Sequence, residues 1–277
     1  MKNIVFIGSS ALGLRALSES DKFCVIGALC LKKRVTQVLL DQAEELGLEV
    51  RQFDWIKDFK ALILEYDEST PFFIYQLDML VPASLTSKYR FFNLHRGDLK
   101  TNRGPNPDIW PILLGHRTTA MSMHLINDKI DAGVLIATHD VPINREDDTN
   151  DVKIRLEEGI PYLVEKLNEY LDGNSLGEEI VDGDYRPWVT ELEFTIDLAK
   201  DDLEVIRRKV RCQRQYNGAI LFVDEQKKYI NNVFDSPPES MAYLTLYSPV
   251  EGKDIYLGLN EHPKYPPPPK FPTSKRI

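Results

Sequence analysis

The chain begins Met1-Lys2-Asn3-Ile4-Val5-Phe6-Ile7-Gly8, a short apolar run that a helical pattern follows at residues 9–18. The same alternation of strand-like and helix-like segments continues as far as residue 140. Because strands that alternate with helices are joined by crossover connections, the pattern predicts an α/β fold with a mainly parallel, buried sheet. Its further segments are strands at residues 23–31, 49–53 and 72–75, and helices at residues 34–46 and 57–66.

Beyond residue 76 the pattern predicts strands that fold back on one another. Gly115 closes a short predicted helix, and the turn at residues 127–132 joins two predicted strands. A helical pattern follows at residues 149–171, and Pro161 is expected to kink it or split it, because proline lacks the N–H that a helix needs. The strands are predicted at residues 91–94, 118–126 and 133–141, and the short helix at residues 108–114.

Residues 173–183 are polar and contain glycine, which is typical of a linker between domains. The sequence therefore predicts two domains, a larger one at residues 1–183 and a smaller one at residues 184–277. The smaller domain is predicted to be α+β or barrel-like, and its proline-rich end favours extended polyproline. Its predicted elements are a helix at residues 201–213 and strands at residues 218–223, 229–234, 242–246 and 254–259.

Composition and charge argue against two classes of partner. No apolar run is long enough to span a bilayer, so no membrane partner is expected. Residues 191–277 contain 13 basic and 13 acidic residues, so the formal net charge of −9 belongs to residues 1–190. A nucleic-acid partner is not expected, because such binders usually have a net basic domain. Cys24, Cys30 and Cys212 form no CxxC pair and no metal-like cluster, which favours the cytoplasm and no metal site.

Asn93-Leu94-His95, together with His124 and Asp131, is the candidate active site. Asn93 and His95 lie two residues apart in a predicted strand, so their side chains share one face. An amide and a protonated imidazole can stabilise an oxyanion, and a carboxylate can accept a proton. No serine or cysteine lies where a covalent nucleophile should, so direct acyl transfer is preferred over an acyl-enzyme.

Each of these features also has a structural interpretation. A single Asn-x-His pair is more often structural than catalytic, and Asp131-Ala132-Gly133 by itself is a common turn signal. His124 lies beside Met121 and Met123, so it could be a core histidine with its hydrogen bonds satisfied. The functional interpretation depends on all of these residues occurring together.

Together they resemble the folate-dependent formyltransferases, a family that includes the glycinamide ribonucleotide, methionyl-tRNA and sugar N-formyltransferases. The resemblance is good from Met1 to about Gly173 and weaker afterwards. One departure concerns the loop after the histidine, where the family usually has Pro-Ser-Leu-Leu-Pro and this chain has Arg96-Gly97-Asp98-Leu99-Lys100. The matching elements are Asn93 and His95, Arg103-Gly104, the helix from Trp110 to Gly115, and Asp131-Ala132-Gly133.

The resemblance implies a Rossmann-like catalytic domain and N10-formyltetrahydrofolate as co-substrate. It implies that Asn93, His95 and Asp131 are catalytic. The residues implied for folate are Gln76, Leu77, Leu80, Val81, Asp128, Ile130 and Asp131, and those implied for the acceptor are Arg103, Gly104 and His124.

The acceptor is expected to be a nucleotide-linked amino sugar, because Asn102-Arg103-Gly104 and a small second domain look most like the sugar N-formyltransferases. Methionyl-tRNA and hydroxyornithine stay open as other amines, as does a catalytically silent binding protein. A homodimer is possible because many relatives dimerise. The tRNA alternative depends on a cluster of basic residues in a predicted helix, for which a solvated face is the favoured interpretation: Arg207, Arg208, Lys209, Arg211 and Arg214.

Overall fold

The computed structural model describes residues 1–263, so most of the predicted polyproline segment lies outside the described residues. The chain forms two compact units. The first contains residues 1–107, 119–141 and 155–186, and the second contains residues 108–118, 142–154 and, of the described residues that follow, 187–263. Each unit is assembled from separate segments of the chain. The division into two continuous domains at residue 183 stays a prediction.

The first unit is built on an eight-stranded sheet. From edge to edge its strand order is β3-β2-β1-β4-β5-β6-β7-β8. Strands β1 to β5 pair in parallel, and β6 pairs with β5 in the antiparallel sense. The strands are β1 (Lys2–Gly8), β2 (Phe23–Leu31), β3 (Val50–Phe53), β4 (Phe72–Tyr75), β5 (Phe91–His95), β6 (Thr118–Ile126), β7 (Gly133–Pro142) and β8 (Glu178–Glu179).

Packing on both faces explains why the central parallel strands are mainly apolar. Val5, Phe72 and Phe91 are fully buried, and the rings of Phe72 and Phe91 stack with centroids 4.9 Å apart. Each large aromatic side chain that is buried removes a large apolar area from water. This core gives β4 and β5 a rigid base, and the candidate site residues Asn93 and His95 lie on β5.

The second unit contains a four-stranded antiparallel sheet with the order β11-β12-β10-β9. Helix α9 (Leu203–Gln213) packs on it through Ile206 and Val210, which join a buried cluster with Leu221 and Leu257. The predicted fold class, a mainly parallel α/β sheet with a smaller α+β part, is confirmed. The strands are β9 (Ala219–Val223), β10 (Gln226–Phe234), β11 (Tyr243–Ser248) and β12 (Lys253–Leu259).

The helices predicted from the sequence all occur, most with shifted ends, whereas the short helices at Ala83–Thr86 and Glu191–Phe194 were not predicted. Pro161 divides the predicted long helix, since it lies in the first turn of the second of two helices. Within residues 1–263, no helix has the length and apolar character needed to cross a membrane. The other helices are α1 (Ala11–Glu19), α2 (Gln37–Glu45), α3 (Ile56–Ile63), α4 (Ala83–Thr86), α5 (Trp110–Leu114), α6 (Thr149–Glu158), α7 (Ile160–Leu171) and α8 (Glu191–Phe194).

Candidate active site

The pairing of β5 with β6 places three candidate side chains together. Asn93 and His95 share one face of β5, and the antiparallel register puts His124 directly opposite Asn93. The Nδ2 atom of Asn93 lies 3.1 Å from Nε2 of His124. The predicted juxtaposition of Asn93, His95 and His124 therefore follows from the period of the strand and one hairpin register.

His95 is held from two sides. It is only 6% exposed, its Nε2 lies 2.9 Å from the backbone oxygen of Asn102, and its Nδ1 lies 3.7 Å from Oδ2 of Asp131. A carbonyl oxygen can only accept a hydrogen bond, so Nε2 must carry a hydrogen. Nδ1 is consequently the nitrogen that faces Asp131.

Asp131 lies in the turn between β6 and β7, where its own backbone has a positive φ of 44°. Its Oδ2 accepts a hydrogen bond of 2.8 Å from the backbone N–H of Gly104. The carboxylate therefore connects the turn to the loop that carries Arg103 and Gly104. The structure brings Asn93, His95 and Asp131 together, as the sequence suggested, while their catalytic roles stay a prediction.

His124 is buried beneath this group, with only 1% of its surface exposed. The pKa of its imidazole is lowered to about 4, mainly by burial and also by the nearby His95, while Asp131 opposes the shift. A neutral imidazole can accept a hydrogen from Asn93 Nδ2, which leaves the second amide hydrogen of Asn93 for another partner. The predicted contact of His124 with the acceptor remains a prediction, and its position favours orienting Asn93.

The loop after His95 is held by contacts that take the place of the absent prolines. The Oγ of Ser122 donates a 2.7 Å hydrogen bond to the backbone oxygen of Gly97. A Cβ atom on Gly97 would lie 2.8 Å from His95 Nε2 and 2.9 Å from the backbone oxygen of Asn102. Asn102 is buried and donates from Nδ2 to the backbone oxygen of Pro107. The turn at Gly97 therefore has no room for a side chain.

Arg96 adds an ionic anchor beside the same loop. Its Nη1 lies 3.8 Å from Oε1 of Glu157 on α6, and the same carboxylate oxygen accepts a 2.7 Å hydrogen bond from the hydroxyl of buried Tyr75. This network joins the end of β4, helix α6 and the loop after β5. It gives the loop a defined conformation without the two family prolines.

The residues predicted for folate form two short segments. Leu77 and Val81 pack partly against the core, whereas Leu80 is 65% exposed and Ile130 is 43% exposed. Gln76 has a positive φ of 63°, and its backbone oxygen accepts a hydrogen bond from Ser9 Oγ. Asp128 is exposed in the turn before Asp131. Their exposed apolar side chains could contact a flat ring, and their roles stay predictions.

The segment at residues 184–186 packs against Arg103 and Gly104, a contact that no sequence pattern indicates. The N–H of Arg103 donates to the oxygen of Asp184 at 2.9 Å, and the N–H of Arg186 donates to the oxygen of Arg103 at 2.8 Å. Tyr185 pairs with Arg103 as an isolated parallel bridge. Nothing local in the sequence reveals this pairing, because the two segments lie about 80 residues apart. In the first 263 residues, no group of three or more His, Cys, Asp or Glu side chains is placed to hold a metal ion.

Comparison with known proteins finds formyltransferases both by sequence and by structure. No protein-family model matches the chain. One curated relative is the methionyl-tRNA formyltransferase of Citrifermentans bemidjiense, which is 27% identical over 152 residues, 53% of this chain and 48% of the relative. The chain spans about half the length of the first curated relatives that it matches.

Two solved structures extend the comparison to almost the whole chain. A 4-N formyltransferase from Francisella tularensis has a TM-score of 0.68 and 17% identity, over 94% of this chain and 99% of its own. WlaRD, a sugar 3-N-formyltransferase whose structure was solved in the presence of dTDP and 5-N-formyl-tetrahydrofolate, has a TM-score of 0.65 and 16% identity, over 95% and 99%. The chain has the formyltransferase fold. The resemblance to the formyltransferase family that the sequence motifs showed is confirmed.

Proposed function

We propose that this protein transfers a formyl group from N10-formyltetrahydrofolate to the primary amine of a nucleotide-linked amino deoxysugar. The observation that carries the proposal is the convergence of Asn93, His95 and Asp131, an amide, an imidazole and a carboxylate, within one formyltransferase fold. WlaRD, which shares this fold over nearly the whole chain, supports both the folate donor and a nucleotide-linked sugar acceptor. We expect the reaction in the cytoplasm, where it would supply surface polysaccharide synthesis.

In the proposed reaction the amine nitrogen attacks the formyl carbon, and the formyl oxygen becomes an oxyanion. The free amide hydrogen of Asn93 and a protonated Nδ1 of His95 are the donors available to that oxygen. One such donor typically contributes about 3 kcal/mol to transition-state stabilisation. Their fixed positions on one strand mean that little reorganisation is needed when charge develops.

Proton transfer completes the proposed mechanism. The attacking amine loses one proton, and the folate N10 gains one when its bond to the formyl carbon breaks. Asp131 can accept the first proton, directly or through a water, and can return it to N10. The hydrogen bond from Gly104 N–H holds the carboxylate in position for both transfers. No covalent acyl-enzyme is needed, so transfer from donor to acceptor is direct.

The folate is proposed to lie along the segments that contain Leu80 and Ile130. Both are large apolar side chains that stay strongly exposed, and Ile130 directly precedes Asp131. Covering them with a pterin ring would remove apolar surface from water. Gln76 supplies a polar group at the start of the first segment, and Asp128 supplies one at the start of the second.

A methionyl-tRNA acceptor is the second candidate, because the curated sequence relatives include methionyl-tRNA formyltransferases. The basic residues of α9 do not favour it. Arg207 pairs with Asp235 at 2.6 Å, and Lys209 pairs with Asp201 at 2.6 Å. Arg211 is buried and donates to backbone oxygens of the loop at residues 144–147. These cations already bind protein acceptors, which leaves less positive charge for phosphates.

The test is a turnover assay with N10-formyltetrahydrofolate and a panel of acceptors: nucleotide-linked amino sugars, methionyl-tRNA and hydroxyornithine. Formation of tetrahydrofolate with one amino sugar is the expected result. Product with tRNA alone would replace the acceptor in this proposal, and product with none would favour a binding protein without catalysis. Gel filtration of the same sample would test whether the protein is a homodimer.

A further inference from the structure

The segment at residues 184–186 covers one side of the loop that contacts Asp131. Gly104 has a positive φ of 97°, and a Cβ there would lie 2.8 Å from the ring of Tyr185 and would clash with the backbone oxygen of Arg186. The N–H of the same glycine binds Asp131. Gly104 therefore joins the proposed catalytic carboxylate on one side to the tyrosine ring on the other.

Tyr185 keeps about half of its surface open although its ring packs on Gly104, with 49% exposed. A partly exposed tyrosine alone is ordinary on a protein surface. Its position beside Gly104 is what distinguishes it, because the N–H of Gly104 binds Asp131, the carboxylate proposed to take the proton of the acceptor amine. A pyranose ring has an apolar face that can pack on an aromatic ring, as sugars commonly do on tyrosine.

Arg103, the bridge partner of Tyr185, supplies charge at the same place. Within residues 1–263 its guanidinium has no ion-pair partner, and its buried Nε has no hydrogen-bond partner. By contrast, Arg186 is already paired with Asp184 at 2.9 Å. An arginine fork that is partly desolvated and not neutralised is suited to a phosphate group.

We infer that Tyr185 is an acceptor-binding residue, with its ring against the sugar while Arg103 binds the phosphates of the attached nucleotide. The inference rests on the proposed function and adds the element that distinguishes a sugar nucleotide from a simple amine. A ligand with a saturated ring next to a diphosphate has a partner for the Tyr185 ring and one for the Arg103 guanidinium. Hydroxyornithine has neither a saturated ring nor a phosphate.

The experiment compares Tyr185→Leu with Tyr162→Leu, a change of another half-exposed tyrosine (48% exposed), on α7. The acceptor is the amino sugar nucleotide that the turnover panel identifies. Tyr185→Leu should raise the KM for that acceptor about tenfold, with kcat and the KM for folate changed less than twofold. Tyr162→Leu should change none of these, and Tyr185→Phe, which keeps the ring, should recover most of the acceptor affinity. Thermal melting of each variant reports the fold.

An unchanged acceptor KM in folded Tyr185→Leu would overturn the inference and leave the proposed function intact. So would equal rises in the KM for acceptor and for folate, since that result indicates a general disturbance of the loop. Turnover of another amine only would remove the sugar-nucleotide acceptor and this inference together. In that case the wild-type protein gives no product with any amino sugar nucleotide. Failure of the proposed function is therefore seen before any variant is measured, whereas failure of this inference is seen only in the Tyr185 variants.

Discussion

Two clusters of polar residues stand out in the sequence of this molecule, and they differ in structure. The first is the β5 cluster, formed by Asn93, His95 and Asp131. The second is the basic cluster on α9. On α9, the cations that hold the helix in place already have protein acceptors: Arg207, Lys209 and Arg211. In the β5 cluster, Asn93 and Asp131 each use one atom for a protein contact and keep another available, and Nδ1 of His95 faces the carboxylate of Asp131.

The difference shows how a site can be distinguished from a structural cluster. Asn93 donates one amide hydrogen to His124, and His95 uses Nε2 for a backbone carbonyl. These contacts orient the side chains and leave the second amide hydrogen of Asn93, while Nδ1 of His95 faces Asp131. Charge density in sequence is therefore weaker evidence of function than a set of polar groups that are positioned and only partly satisfied.

The largest effect should come from removing the β5 cluster. Asn93→Ala, His95→Ala and Asp131→Asn should each lower kcat for formyl transfer about 1,000-fold, because each removes a donor or a base from the transition state. Single-turnover measurement with saturating folate and acceptor would report the chemical step.

Arg207→Ala on α9 is the control for that series, and it should keep wild-type kcat. If Arg207→Ala lowered kcat as much as the variants of the β5 cluster do, the two clusters would not differ in function. Wild-type turnover in any one variant of the β5 cluster would exclude that residue from the mechanism.

A buried cation on α9 should instead affect stability. Arg211→Ala should lower the free energy of unfolding by about 3 kcal/mol, because it leaves buried loop carbonyls without their donor. Arg214→Ala, at an exposed position of the next turn, should change it by less than about 0.5 kcal/mol. Urea unfolding measures both, and equal values would contradict a structural role specific to Arg211.

Much of the fold could be predicted because its signals are local. The apolar runs and the helical period gave strands and helices close to those observed, with residues 23–31, 72–75 and 118–126 matching at both ends. The shared face of Asn93 and His95 also needed only the two-residue period of a strand. The split at Pro161 follows from the chemistry of one residue.

The parts that could not be predicted depend on long-range backbone pairing. Strand β8 has two exposed glutamates and no hydrophobic pattern, so the polar segment at residues 173–183 was interpreted as a linker. The pairing of residues 184–186 with Arg103, and the separate segments of each compact unit, have no local signal either. His124 required the register of β5 with β6 before its partner could be identified.

A smaller change near the β5 cluster should test how strictly the loop positions His95. Gly97→Ala places a methyl group against His95 Nε2 and the oxygen of Asn102, so the imidazole must shift. We expect kcat to fall about 30-fold, since displacements of less than 1 Å at a catalytic group have effects of this size. Ser122→Ala removes the hydrogen bond to Gly97 without adding atoms and should lower kcat less than tenfold. Wild-type activity in Gly97→Ala would show that the loop is free to move.

The smallest expected effect concerns the pH dependence that burial gives to His124. Its folded pKa of about 4 lies below the ordinary value of 6.5. Between these two pH values the unfolded chain binds a proton that the folded chain does not. The stability contributed by neutral His124 is therefore present above pH 6.5 and is lost as the pH falls toward 4.

From pH 7 to pH 5 this one group should lower the free energy of unfolding by about 2 kcal/mol. His124→Gln, which can still accept a hydrogen bond from Asn93 but does not titrate, should lose about 2 kcal/mol less than the wild type over the same interval. Urea unfolding at the two pH values gives the comparison. Parallel losses in both proteins would mean that His124 titrates near its ordinary pKa. It would then be charged part of the time at neutral pH and could not act as a constant acceptor for Asn93.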